Sequence, residues 1–258
     1  MPRKPRIISS TGIYHIVIRS INQHIIFEED FDYQKFLLIM SDCKKSTDID
    51  IYAYCIMDNH IHLLLRATLN TLSSFFQSLG TRFVRWYNTK YSRSGHLFQD
   101  RFFSVPVETN SQYLSTLTYI HNNPVKANIC LSPSEYRWSS YNAFYGEKNP
   151  LISVSFSYDI AGSKESLLKY FANTDINSED QEFSSIYLQS KRFISDEKAL
   201  AVFKAVTNLN STSEVTNLKK PIRNNYVRRL HQNNLTQKQI ARLMDISIAT
   251  VRRICNTY

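Results

Sequence analysis

The run Cys55-Ile56-Met57-Asp58-Asn59-His60-Ile61-His62-Leu63-Leu64-Leu65 constrains the fold more than any other part of the chain. Its apolar content calls for a buried strand, yet two histidines stand where such a strand wants hydrophobes. In an extended strand, residues two apart share a face at roughly 6.6 Å separation. His60 and His62 therefore point together, while Ile61, Leu63 and Leu65 point the other way. Two imidazoles on a rigid strand can share one divalent cation, because neutral imidazole is a common metal ligand. A His-x-His pair also arises from plain packing or at a solvated strand edge, and the spacing alone leaves both readings open.

The surrounding elements can be read from periodicity. Tyr14 to Arg19 is β-rich and predicts a first strand, and Phe31 to Lys45 carries apolar residues at helical spacing. Ile51–Ile56 and His60–Arg66 predict a hairpin around Met57-Asp58-Asn59, since Asp and Asn tolerate turn geometry. Thr71 to Tyr91 predicts a long amphipathic helix in which Phe75, Phe76, Phe83 and Trp86 interleave with Arg82 and Arg85. A short β-like stretch follows within residues 95–107. The order strand, helix, strand, strand, helix, strand predicts an α+β fold, a ferredoxin-like split β-α-β antiparallel sheet. Arg93 and Arg101 lie among aromatics near its last strand, a mixture suited to phosphates and stacked bases, although core aromatics flanked by surface arginines give the same pattern.

A further helix is expected from Asn110, as N-cap, to Asn122, with Tyr113, Leu114, Leu117 and Ile120 on its apolar side. Gln112, Thr116, Tyr119 and Asn123 recur at i, i+4, i+7 and i+11, so Tyr119 belongs to a polar stripe. That position suits a tyrosine that uses its hydroxyl, and it equally suits one lying at the rim of a core. Pro124 disfavours helical geometry at Asn123, which argues for the helix ending there.

The rest of the chain divides by charge and composition. Residues 130–146 read as an irregular wrap closing a first domain, 1–148. A helical connector, 149–218, is acid-rich, with capping signals at Ser178–Gln181 and Ser195. The final domain, 219–258, concentrates Lys and Arg, with Asp245 its single acid. Thr236 starts one short helix and Ser247 a second, with Ala241 and Ile246 between them, which is helix-turn-helix spacing with Asp245 where many such turns have glycine. Its second helix would present Thr250, Arg252 and Arg253 to a duplex major groove.

Bulk properties narrow the function classes. A net charge of +9 suits a polyanionic partner. The four cysteines are widely spaced, without a C-x-x-C pair, which argues against a zinc knuckle or a disulfide framework and for a reducing cytoplasmic setting. No run of about 18 apolar residues occurs, so no membrane span is expected.

His60-Ile61-His62, followed by Tyr119-Ile-His-Asn-Asn-Pro-Val-Lys-Ala127, resembles the single-tyrosine HUH transposases, specifically the REP-associated branch. Arg93-Ser-Gly-His-Leu-Phe-Gln-Asp-Arg-Phe102 and Glu135-Tyr-Arg-Trp-Ser-Ser-Tyr141 are similar to the same branch, so the likeness covers roughly residues 7 to 146. The chain departs from it at Arg19-Ser-Ile-Asn22, where the family often has an Arg-Gly-Asn turn. The resemblance implies a nuclease core that holds Mg²⁺ or Mn²⁺ on His60, His62 and a helix residue, with Asn123 ranked before His121. It also implies Tyr119 as nucleophile, single-stranded hairpin DNA as substrate, a 5′-phosphotyrosine intermediate, and relatives that include homodimers. The alternative is a catalytically silent DNA-binding regulator of the same descent.

Overall fold

A computed structural model describes residues 6–99, 101–174, 196–209, 214–215, 218–233, 235 and 237–255. The expected capping signals at Ser178–Gln181, Ser195 and Thr236 lie outside the described residues. The chain divides into two compact units, Met1–Ser178 and Glu179–Tyr258.

The first unit follows the order β1 (Ile13–Arg19), α1 (Asp30–Lys45), β2 (Asp50–Ile56), β3 (His60–Arg66), α2 (Leu69–Lys90), β4 (Phe103–Pro106) and α3 (Asn110–Lys126). The strands form one antiparallel sheet in the order β2-β3-β1-β4, which is the ferredoxin-like arrangement. The β2–β3 hairpin closes where Met57 N–H donates to the His60 carbonyl at 2.8 Å. Ile18, on one face of the sheet, lies beside Phe36 of α1 and Phe76 and Leu79 of α2. The rings of Phe27, Phe36 and Phe83 pack together under these helices, with centroids 5.1 to 5.5 Å apart. Lys90 of α2 ties to Glu29 and to the buried Asp32, joining the end of α2 to the start of α1.

The opposite face carries α3, and two details of this helix differ from the sequence expectation. Its N-cap is Thr109, whose Oγ1 accepts from Gln112 N–H at 3.1 Å, and Asn110 is the first helical residue. The helix also continues through Pro124 to Lys126. It does so because the proline ring removes one N–H while the next turn still closes, with Ala127 N–H bonding the Asn123 carbonyl at 3.0 Å.

The wrap after α3 is more ordered than its sequence suggests. Ile56 N–H donates to the Trp138 carbonyl at 2.9 Å and Ser140 N–H to the Tyr54 carbonyl at 3.0 Å, so this segment lines the outer edge of β2. Two helices, α4 (Val154–Ala161) and α5 (Lys164–Asn173), return to the same unit. Tyr113 Oη lies 2.6 Å from Ser157 Oγ, and Leu167 is buried in the common core.

The second unit contains α6 (Asp196–Thr207), α7 (Lys220–Gln232), α8 (Gln237–Leu243) and α9 (Ile248–Cys255). Phe203, Val227, Leu230, Ile240, Met244, Val251 and Ile254 form its own buried cluster. Ile246 N–H bonds the Ala241 carbonyl at 3.0 Å, and Ser247 Oγ accepts from Thr250 N–H at 3.1 Å, so a tight turn ends α8 and a serine cap starts α9. Asp245 turns the corner at φ 47°, in the left-handed region. Asp245→Gly should therefore raise the stability of this unit by about 0.5–1 kcal/mol, seen as a higher denaturation midpoint for its melting transition. A lower midpoint would show that the Asp245 side chain holds the turn.

Candidate active site

Strand register decides which side chains share the face under α3. Arg19 pairs with His60, Val17 with His62 and His15 with Leu64 across β1 and β3, so His15, Val17, Arg19, His60 and His62 all point to that face. The expected convergence of His60 and His62 is present, with ring centroids 5.0 Å apart. A third imidazole joins them. His15 stacks on His62 at 5.2 Å, and His15 Nε2 lies 2.9 Å from His62 Nδ1.

Tyr119 lies over this group, its ring edge-on to His15 and His62 with both centroids at 5.7 Å. The polar stripe of α3 thus faces the sheet and not bulk water, and Thr116 on it is fully buried. Asn123 lies one turn beyond Tyr119, and its Nδ2 donates to the Tyr119 carbonyl at 2.8 Å. That bond holds the amide against the helix and leaves Oδ1 as its metal-capable atom. Lys126, seven residues after Tyr119, places its ammonium 5.2 Å from the Tyr119 ring centroid.

His121 lies elsewhere. Its Nε2 is 2.9 Å from Ser140 Oγ and its ring is boxed by Tyr141, Phe144 and Phe171, so it clamps α3 to the segment along β2. It is a buried packing histidine, on a different side of α3 from Tyr119.

The electrostatics keep the imidazoles neutral. Burial lowers His15 to about 3. Burial and then the Arg19 charge lower His60 to about 4. Burial, His60, His15 and Arg19 together push His62 well below the usual histidine range. His60 Nδ1 lies 2.6 Å from Asn59 Oδ1. An amide oxygen only accepts, so His60 donates through Nδ1 and carries its lone pair on Nε2. His62 spends its own Nδ1 on His15. Among the described residues, no group of three or more His, Cys, Asp or Glu is placed to hold a metal ion. Any third ligand to the histidine pair would be of another type, such as an amide oxygen.

The arginines are dispersed. Arg82 is ion-paired to Asp42 at 2.9 Å on the α1 side, Arg85 is exposed, and Arg93 stands 5.7 Å from the Tyr87 ring. Arg101 is exposed and lines a cavity on the face opposite the histidines. The structure does not gather these four with the histidines. Thr250 is half-buried at the cap of α9, where Arg252 and Arg253 are exposed. Sequence reasoning missed the roles of His15, Arg19, Asn59 and Lys126. Lys126 alone had a readable signal, since it lies two helical turns from Tyr119.

The four-stranded antiparallel sheet thus carries a histidine pair beneath a helical tyrosine. Residues 9–123 match the family described as "Transposase IS200 like". Among solved structures, a REP-associated tyrosine transposase bound to a REP hairpin is similar at 17% identity, over 60% of this chain and 90% of that one, with a TM-score of 0.49. A putative transposase from Deinococcus radiodurans R1 is similar at 19% identity, over 47% of this chain and 97% of that one, with a TM-score of 0.33. No curated protein matches the chain. Among the described residues, no helix is long and apolar enough to cross a membrane.

The lowered histidines predict an acid-sensitive fold. His15 and His121 both titrate near 3 when folded, below the unfolded value of 6.5. The unfolded chain therefore binds more protons once pH drops below 6.5, and stability is lost as pH falls from there toward 3. Each contributes up to about 1.4 kcal/mol per pH unit in that window. The urea midpoint should be lower at pH 5 than at pH 7, and the difference should shrink in His121→Gln. Equal midpoints at the two pH values would contradict neutral burial.

Proposed function

We propose that the protein is a metal-dependent single-stranded DNA endonuclease and strand transferase that works through a 5′-phosphotyrosine at Tyr119. The observation that carries this reading is the commitment of both Nδ1 atoms. Asn59 occupies that of His60 and His15 that of His62, on the face overlooked by Tyr119. With His62 as the donor to His15, each ring of the pair keeps its lone pair on Nε2, the fixed-tautomer pattern of metal-ligating histidines. Two imidazole nitrogens with an amide oxygen suit a borderline divalent cation, and the motif resemblance implies Mg²⁺ or Mn²⁺ there, which His60, His62 and Asn123 Oδ1 would hold. When bound, such a cation supplies Lewis-acid polarisation of the scissile phosphate.

The chain's own groups do the rest. A phenol with an ordinary pKa near 10 is a weak nucleophile, and the Lys126 ammonium, 5.2 Å from the Tyr119 ring centroid, places positive charge beside it. Tyr119 Oη forms a bond to phosphorus as the bond from phosphorus to the 3′ oxygen breaks, and that oxygen leaves as a 3′-OH. Arg19, adjacent to His60 across the strands, adds positive charge where phosphate oxygens gather. Because the tyrosyl phosphodiester conserves bond energy, the 3′-OH of another strand reverses the step and joins to a new partner.

The substrate class is hairpin or repeat DNA, as the motif resemblance implies. Residues 219–258 would tether the enzyme to duplex DNA through Thr250, Arg252 and Arg253. All four cysteines are free, which suits the cytoplasm. A homodimer is the assembly the family suggests. The intact histidine pair and Tyr119 weigh against the silent regulator.

Labelled single-stranded hairpin DNA from the flanks of the protein's own gene, incubated with Mn²⁺, should give a covalent protein–DNA band on denaturing gels. Tyr119→Phe should abolish that band while hairpin binding stays within about two-fold. His62→Ala should lower its yield by at least about 100-fold, within the range for loss of one electrostatic stabiliser. Hairpin binding without an adduct in the wild type would favour the regulator.

A further inference from the structure

On the sheet face opposite the histidines, a cavity of about 390 Å³ is lined by Ile18, Phe36, Leu79, Phe98 and Phe102, with Arg6 and Arg101 alongside them. The volume falls in the range of small-ligand pockets. Ile18 directly precedes Arg19, the strand partner of His60, so cavity and histidines lie at the same end of the sheet on opposite faces.

Beside the neutral Ser73 and Gln77, its two charged groups carry the same sign. The Arg6 guanidinium carbon stands 3.8 Å from the centroid of the Phe102 ring, which itself packs on Phe76 at 4.3 Å. Arg6 also donates to Ser73 Oγ at 3.5 Å. Among the described residues, neither Arg6 nor Arg101 has an ion-pair partner. Burial and the Arg101 charge both lower Arg6, so the two guanidiniums that line the cavity repel each other, which an anion relieves.

Gly80 gives a second, independent indication. It lies inside α2, where glycine weakens a helix relative to alanine, and it lines this cavity. No packing requires it, since a Cβ built there meets nothing within 4 Å. Aromatic walls, a same-sign pair of guanidiniums and space kept open by a glycine are what an unpaired nucleotide needs, a flat base to pack and a phosphate to neutralise.

We propose that this cavity is a nucleotide subsite that takes one unpaired base of single-stranded DNA beside Phe98, Phe102 and Gly80, with its phosphate between Arg6 and Arg101. It rests on reading the protein as a single-strand nuclease. It adds to that reading a second grip on the strand, away from the scissile phosphate. The base is gripped by shape and stacking, so the subsite holds the strand without a hydrogen-bond code for its sequence.

The test is fluorescence anisotropy of the full chain with labelled oligothymidylate and with an abasic strand of the same length. Gly80→Leu fills the cavity and should weaken oligothymidylate binding roughly ten-fold while leaving the abasic strand unchanged. Arg6→Gln should weaken both strands and reduce the salt dependence by about one phosphate contact. Gly80→Leu binding oligothymidylate like the wild type, with unchanged melting, overturns the subsite. If that variant does not fold, Arg6→Gln with unaltered affinity and salt slope overturns it. The wild-type adduct is scored separately. An adduct with no effect of either substitution removes the subsite and keeps the nuclease, whereas both effects without an adduct keep the subsite and remove the nuclease.

Discussion

The antiparallel pairing of β1 with β3 is the constraint on which the site depends. It sets His15 diagonally beside His62, and their hydrogen bond allows two imidazoles to be buried on a sheet face otherwise made for hydrophobes. A buried polar ring without a partner costs roughly 1–3 kcal/mol, so this bond decides whether the histidine face can exist at all. A one-residue slip of β3 would send His60 and His62 into the aliphatic layer under α1 and α2, and Ile61 and Leu63 would meet Tyr119. The register that builds the core therefore also orients the site.

The second fixed relation is between α3 and the sheet. Tyr113, Leu117 and Ile120 are buried in the core, and His121 is clamped to Ser140 along the edge of β2. Ser140 Oγ also accepts from Tyr54 N–H at 2.9 Å, so one serine joins the outer strand to the helix that carries Tyr119. The wrap after α3 thus helps to position Tyr119 through the helix that carries it. Deleting the His121 imidazole would loosen α3 before it disturbed any group facing phosphate.

Much of this was legible in the sequence where periodicity is strict. The order of elements gave the sheet, the two-residue period put His60 and His62 on one face, and the helical stripe put Tyr119 and Asn123 together. His15 was not legible, because it sits in a β-branched run and its partner lies 47 residues away, fixed only by strand register. Asn123 was obscured by Pro124, whose local preference is overruled by the packing of α3 on both sides. Arg82 looked like part of a basic face, but proximity to Asp42 on another helix turns it into an intramolecular ion pair. Composition shows charge and not the neighbour that neutralises it.

In the proposed site His60 and His62 jointly ligate a divalent cation beneath Tyr119. Pulsed electron paramagnetic resonance of Mn²⁺ bound to the protein tests it most directly, because nitrogen couplings report imidazole in the first coordination sphere. The account predicts one bound Mn²⁺ per chain coupled to two imidazole nitrogens, with one coupling lost in His62→Ala and both retained in His121→Gln. Bound Mn²⁺ without nitrogen coupling, or coupling that disappears in His121→Gln, would contradict it.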